Sequence, residues 1–422
     1  MITLYDGQIS LEITTPINAL KTRDGSWVVQ VPPAGVGFLS SNSPGMVNIA
    51  GTNLVNVHSS AIPTSTVFKA GDTVVLARVG SGRGSYWDVP GRSQVTEMMA
   101  VVFVDYPVQV GLLRPPAIGN GIIPRFLRSA PILESQVNVN NLPSIVDVDQ
   151  LDVDWAQWGK AKPTIPYLTA LLQKFGGDCY DGWSTDERTP DRQHPGYGTY
   201  YASIVSQALV QLCSTASPAE KLPLALAVVQ RGLDLAGAFG DGRRNYPSGG
   251  HSQGRKALII AAGVLLGVEP FIDPNKYLGK VFQEDICYEH QNWFAGDWTA
   301  GWKFKHDVPE ATGTKLALIP AIWGDPNSPN HSTFAWMIQG YMPQVVGCQI
   351  GTALAMRLMR LKNQMGLYMD KMVEQWMNPL PEIANQIADA GITLPWGTDY
   401  AVSKGGSFCE KAWRKYARTV SV

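Results

Sequence analysis

Residues 245–268, NYPSGGHSQGRKALIIAAGVLLGV, decide how the chain folds. Gly250-His251-Ser252-Gln253-Gly254 spells the G-x-S-x-G elbow of serine hydrolases. That elbow needs an apolar strand just before it, to hold the serine on a strained turn. Arg243, Arg244, Asn245, Tyr246, Pro247 and Ser248 stand there instead, and they cannot form a buried central strand. Gly249 and Gly254 have the spacing of a phosphate loop. Arg255-Lys256-Ala257, however, replaces the Lys-Ser/Thr pair that reaches phosphate and magnesium. A third reading fits the context: a Gly-rich loop feeds a helix whose first turn carries free amides, a positive dipole end, His251, Arg255 and Lys256. Such a terminus attracts a carboxylate or sulfate. The alternative is structural, with Arg255 and Lys256 bridging neighbouring helices or pairing with Glu284 and Asp285. From Ala257 onward the helix is apolar on nearly every side, which places it at the centre of a helical body.

The flanking sequence is helical too. Gly198 to Cys213 is apolar at helical spacing through Ile204, Val205, Ala208, Leu209 and Leu212. Ser217-Pro218-Ala219-Glu220 combines an N-cap hydroxyl, a first-turn Pro and a Glu for the exposed amides, and predicts a helix to about Phe239. Further helices are predicted from Pro343 to Met365, Leu367 to Met377 and Ser407 to Ala417. Helices joined this way suggest antiparallel pairs in a bundle or an incomplete α/α toroid.

The front of the chain reads differently. Runs at Ile9 to Thr15, Trp27 to Val31, Thr73 to Val79 and Val101 to Val104 alternate or are β-branched, and clusters such as SSNSPG and GSGRGS separate them. They predict short antiparallel strands in a sandwich or barrel, with Gly71-Asp72 at a bend. The expected class is α+β multidomain: a β-rich attachment module over 1–112, an extended linker with RPP and NVNNLP over 113–150, and an all-α part over 151–422. Of 13 Trp, only Trp27 and Trp87 precede Trp155, which agrees with that division.

Composition narrows the function. A length of 422 residues fits two or three domains at ~100–200 residues each. Lys and Arg total 34 against 35 Asp and Glu, a net charge of -1, so the basic footprint that nucleic acid or an anionic membrane requires is missing. The longest apolar run, residues 257–268, falls short of the ~20 residues that cross a bilayer. MITLYDGQISLEI shows neither a basic n-region nor an apolar h-region, so no signal peptide is predicted. Cys179, Cys213, Cys287, Cys348 and Cys409 are odd in number and lack a CxxC pair, which predicts buried thiols in a reduced compartment.

Three further clusters carry chemistry. DRQHPGYGTYY (191–201) places His194 and Tyr197 on a loop before a helix. QEDICYEH (283–290) gathers three carboxylates, Tyr288 and His290, and Glu284 shares a face with Tyr288 if helical. Trp293, Trp298, Trp302 and Trp323 lie on a Gly-rich stretch; exposed, such rings stack on sugars, and otherwise they are core. HExxH is absent and His290, His306 and His331 are scattered, so neither a metal nor a cofactor is expected.

At these residues the chain resembles a group of uncharacterised proteins of marine bacteria and tailed bacterial viruses. Those proteins pair a β-rich front with a helical back carrying N-G-G-H-x-x-G-R-K and then an acidic E-D plus Tyr segment. NYPSGGHSQGRK and QEDICYEH match that block, and GLLRPPAIGNG (111–121) resembles their R-P-P linker. The likeness spans about residues 50–300 and is strongest over 190–290. Ser248 stands where the block has Asn, which leaves Asn245 as the nearest amide. At the level of fold alone, the helical part also resembles the toroids of alginate and heparin lyases.

Two functions follow as expectations. In the first, a virion-associated protein binds an acidic polysaccharide and cleaves it by β-elimination. Arg255, Lys256 and Asn245 would neutralise the uronate carboxylate, His251 or His194 would take the C–H proton, and Tyr288 or Tyr197 would protonate the leaving oxygen. Glu284, Trp293 and Trp298 would complete the substrate site. A hydrolytic variant would use Glu284 or Asp285 with Asp178 or Asp181. In the second, the protein is a non-catalytic tail or capsid component, structural or receptor-binding. The expected partners are a polysaccharide or cell-surface glycan, other virion proteins and further copies of the chain, with no nucleic acid and no membrane span. The expected location is the virion, made in the host cytoplasm and released by lysis.

Overall fold

A computed structural model describes residues 1–42, 45–48, 62, 65–80, 94–117, 130–153, 162–173, 198–240, 253–282, 284–285, 346–365, 369–377 and 406–419. The class is α+β: β-sheets in the N-terminal region are followed by a helical C-terminal part.

Strands β1 (Ile2–Asp6), β2 (Ile9–Ile13), β3 (Asn18–Lys21), β4 (Trp27–Gln30), β5 (Val36–Ser41), β6 (Gly45–Asn48), β7 (Val67–Phe68), β8 (Thr73–Gly80) and β9 (Gln94–Val104) form two sheets. One has the order β1-β2-β5-β7 and the other β3-β4-β9-β8-β6. Residues of both sheets share one apolar core containing Leu11, Ile13, Phe38, Val29, Val101 and Phe103. Phe68 stacks on Phe103 at 4.7 Å across this core. The β1 edge is tied to the second sheet, where Trp27 Nε1 donates to the Tyr5 carbonyl at 3.1 Å and Lys21 pairs with Asp6 at 2.9 Å.

One pairing departs from the antiparallel expectation: β4 runs parallel to β9, with Trp27 opposite Val101. The cause is visible in the residues. Val29, Val101 and Phe103 enter the core shared with the first sheet, while Val28, Val102 and Val104 join a second cluster with Val108 and Leu112. Strands apolar on both faces suit the covered middle of a sheet, where parallel pairing is found.

Among the described residues the helices are α1 (Ile165–Gln173), α2 (Gly198–Leu212), α3 (Pro218–Gly240), α4 (Arg255–Leu266), α5 (Glu269–Ile272), α6 (Pro274–Leu278), α7 (Ile350–Leu358), α8 (Met369–Met377) and α9 (Gly406–Tyr416). The capping box of α3 forms as the sequence predicts: Ser217 N–H donates to Glu220 Oε2 at 2.8 Å and Glu220 N–H to Ser217 Oγ at 3.3 Å. The helix expected over 343–365 is interrupted instead. Arg360 takes φ 61° after α7, and only a short 3-10 turn, Lys362–Met365, follows. α3 and α4 pack at close range through Gly232, where a Cβ would lie 2.5 Å from Ala262 Cβ and 2.6 Å from the Leu258 carbonyl. α3 is long and apolar enough to span a bilayer, and it is buried in the protein.

The segment expected as a linker, 113–150, is largely extended, and its described residues mix exposed positions with ones buried in the protein. β10 (Leu112–Leu113) pairs with β11 (Ile132–Leu133), and Val137, Val139, Leu142 and Val146 are buried in the helical core. Its asparagines finish α4: Asn138 N–H donates to the Leu265 carbonyl at 2.9 Å and Asn141 Nδ2 to the Val264 carbonyl at 2.8 Å. Gly267, in the left-handed conformation, also donates to the Val264 carbonyl at 3.3 Å, so the NVNN string adds a distant cap to the local one.

Arg114 joins the two parts. Its guanidinium donates to Asp24 Oδ2 at 2.9 Å on one side and to Asp234 Oδ2 at 2.6 Å on α3 on the other. Its main-chain N–H and carbonyl pair with the Gln230 amide, each at 3.0 Å. Burial would raise Asp24, but Arg114, with Thr22 and Ser26, outweighs it and holds this carboxyl below its usual range. Asp234 stays raised, because burial and the Asp24 charge exceed what Arg114 returns.

Candidate functional site

The first turn of α4, where the sequence calls for an anion, receives one from the chain itself. Gly254 is the N-cap, with φ 89°. A Cβ there would lie 2.8 Å from Ala202 Cα, so both the left-handed backbone and the approach of α2 require glycine. The Gly254 N–H donates to Glu284 Oε1 at 2.6 Å. Lys256 Nζ donates to Asp285 Oδ1 at 2.5 Å, and Asn275 Nδ2 of α6 donates to the same oxygen at 2.8 Å. Two consecutive acidic residues therefore clamp the helix start, and Glu284 sits at its positive end.

The surrounding contacts are equally internal. The Arg255 guanidinium lies 5.1 Å from the Tyr201 ring centroid on α2, and Lys256 Nζ lies 5.9 Å from that of Phe282. Arg255 Nη1 donates to the Gln253 carbonyl at 3.0 Å, and Cys348 Sγ donates to Gln253 Oε1 at 2.8 Å. Arg255 is 1% exposed, and Lys256, Glu284 and Asp285 are 0% exposed. A cation in this state does not meet a substrate carboxylate arriving from solvent.

Burial raises Glu284 from 4.5 to about 7. Its own backbone N–H, the Gly254 N–H and Lys256 act against the rise, and Asp285 adds to it. Glu284 Oε2, Asp285 Oδ2, Asn275 Oδ1 and both ends of the Gln349 side chain are buried without a hydrogen-bond partner among the described residues. A carboxyl that titrates near neutrality and is only half satisfied can gain or lose a proton. No group of three or more His, Cys, Asp and Glu that could hold a metal is found among the described residues. Cys213, Cys348 and Cys409 are buried, and burial pushes the Cys213 and Cys409 thiols up to about 12.

Of the residues selected from the sequence, Arg255, Lys256 and Glu284 come together at this clamp. In it Lys256 takes the structural alternative of pairing with Asp285. His194, Tyr197, Asn245, His251, Tyr288, Trp293 and Trp298 lie outside the described residues, as do Asp178, Asp181, Trp302, Trp323, Cys179 and Cys287. Sequence reasoning missed the Asp24–Arg114–Asp234 joint. A usable sign was present: Gln230, Arg231 and Asp234 interrupt the apolar run of α3, and polar residues buried in a helix need partners. A small cleft beside the joint is lined in part by Thr22, Arg23, Glu134, Gln173 and Gln230. Its polar side chains already bond within the protein, as in Arg23 Nη2 to Glu134 Oε2 at 2.9 Å and Gln173 Nε2 to the Arg23 carbonyl at 2.7 Å.

Compared with protein-family models, with curated proteins and with solved structures, the chain matches none.

Proposed function

We propose that the chain is a non-catalytic component of a tailed bacterial virion, with a β-sandwich attachment module and a toroid-like helical part that engages a cell-surface glycan. The observation that carries the non-catalytic side is the closure of the α4 start. Lys256 is consumed by Asp285, and Glu284 already occupies the positive helix end. That leaves neither for the uronate carboxylate whose neutralisation β-elimination requires. The virion and glycan elements rest on the resemblance of NYPSGGHSQGRK and QEDICYEH and on the Trp-rich stretch from Trp293 to Trp323.

The catalytic alternative keeps one observation in its favour: Glu284, raised to about 7, has the proton affinity of a general acid. In a hydrolytic reaction it would act with a second carboxylate. Full burial of Glu284 speaks against it.

The test is purified protein with a panel of acidic polysaccharides, followed by absorbance near 235 nm, where unsaturated uronates absorb, by reducing-end release and by pull-down. The expected result is retention of one glycan with flat absorbance and no new reducing ends. A rise at 235 nm that disappears in His251→Ala overturns the proposal in favour of a lyase. New reducing ends lost in Glu284→Gln overturn it in favour of a hydrolase. Neither binding nor cleavage removes the glycan and leaves a structural role.

A further inference from the structure

We propose that the Glu284–Gly254 contact is a proton-controlled latch, which holds residues 284–285 against the start of α4 while Glu284 is neutral and loosens when Glu284 ionises. The inference is independent of any glycan.

The geometry makes the proton decisive. Glu284 is sealed from water, Oε1 has the Gly254 N–H at 2.6 Å, and Oε2 has no donor among the described residues. A neutral carboxyl tolerates this environment far better than a carboxylate, because an ionised oxygen without a donor in a dry interior bears the full cost of its lost hydration. The charged and polar groups that face the latch leave little room for rescue. From α4 come the Gly254 N–H, Arg255, which is engaged with Tyr201 of α2, and Lys256, which is committed to Asp285 at 2.5 Å. From the same segment comes Asp285, a like charge, and from α6 comes Asn275, also bonded to Asp285. Opening the contact admits water to both oxygens, and that is the only relief this arrangement offers among the described residues.

The direction follows from the burial that lifts Glu284 from 4.5 to about 7. The closed form holds the proton more tightly than the open form. Closure is therefore fully favoured below 4.5, weakens as pH rises and has lost its whole contribution above about 7. The contact also sets where a loosening would act, because it is the hydrogen bond that ties residue 284 to residue 254.

Hydrogen exchange of the full chain between about pH 5 and about pH 9, corrected for the intrinsic chemical rate, tests this. Protection of peptides covering 253–258 and 281–285 is expected to fall on the order of 100-fold between about pH 5 and about 7 and to level off above about 7. Peptides at the Arg114 joint, where Asp234 is raised but both of its oxygens have donors, should fall less. Glu284→Gln still accepts the Gly254 N–H and never ionises, so its profile should be flat. Wild-type protection that is level across the range, or that falls equally at the joint, overturns the latch. Should Glu284→Gln fail to fold, infrared titration of the wild type decides. A protonated-carboxyl C=O band lost with a midpoint near 7 supports the latch, and absence of such a band above the ordinary carboxyl range overturns it.

Discussion

The joint at Arg114 and the clamp at the start of α4 are both buried ion clusters, and they are completed differently. At the joint all four oxygens of Asp24 and Asp234 have donors, drawn from Thr22, Ser26, Arg114 and the Ala117 N–H. At the clamp Glu284 and Asp285 each leave one oxygen without a partner among the described residues. Both clusters are buried, and burial raises the carboxyls in each. At Asp24 the Arg114 charge and the donors around it outweigh burial, whereas at Glu284 burial outweighs the donors present. Asp234 adds a qualification. One guanidinium can reach two carboxylates geometrically, yet its single charge serves two negative charges incompletely, and Asp234 stays raised.

Substitutions sharpen that contrast, starting with the joint. Arg114→Met removes the cation between two buried carboxylates and should cost about 3–5 kcal/mol in denaturant unfolding. A loss under about 1 kcal/mol would mean that the joint is not a stabilising device. Lys256→Met strands one carboxylate instead of two and leaves Asp285 with Asn275, so a smaller loss of about 3 kcal/mol is expected in the same measurement.

Asp24 and Glu284 should also respond to pH with opposite sign. Asp24 is lowered, so its stabilisation is present above the ordinary carboxyl range and is lost as pH falls through its depressed value. Glu284 is raised, so its contribution is lost as pH climbs from 4.5 to about 7, by at most roughly 3 kcal/mol. Thermal unfolding across pH should therefore show a decline on each side. Glu284→Gln should reduce the decline toward neutral pH, leaving the part owed to the raised Asp234, and keep the acid one; loss of both would break the comparison. The smallest effect is expected for Asn275→Ala, which removes the second donor to Asp285 at a cost of about 1 kcal/mol, measurable as a midpoint shift in denaturant.

Much of the fold was legible because its cues are short in range. Ser217 and Glu220 announce the start of α3, alternation marks β2, and the apolar run from Ala257 marks a central helix. α1 escaped because IPYLTALLQ is short and opens with a β-branched residue and Pro, which favour extended chain as much as helix. The parallel β4–β9 pair escaped because alternation shows that a strand exists but not which neighbour it takes. At the site, Arg255, Lys256 and Glu284, selected from the sequence as substrate-binding residues, meet at one helix start, and pairing of Lys256 with Asp285 was one of the readings offered. Whether those groups face water or each other was not readable, since neither periodicity nor spacing distinguishes a cation that waits for a ligand from one that has already been neutralised.

Local sequence sets the α+β division and the starts of α2, α3, α8 and α9. Each of these follows from the conformational preferences of residues within a few positions of one another. Only the tertiary structure decided the fate of the charges. Arg114 meets Asp24 across 90 residues and Asp234 across 120, and Lys256 meets Asp285 across 29. A charge is stabilised or neutralised by whatever the fold brings within about 4 Å of it, and by the water the fold excludes.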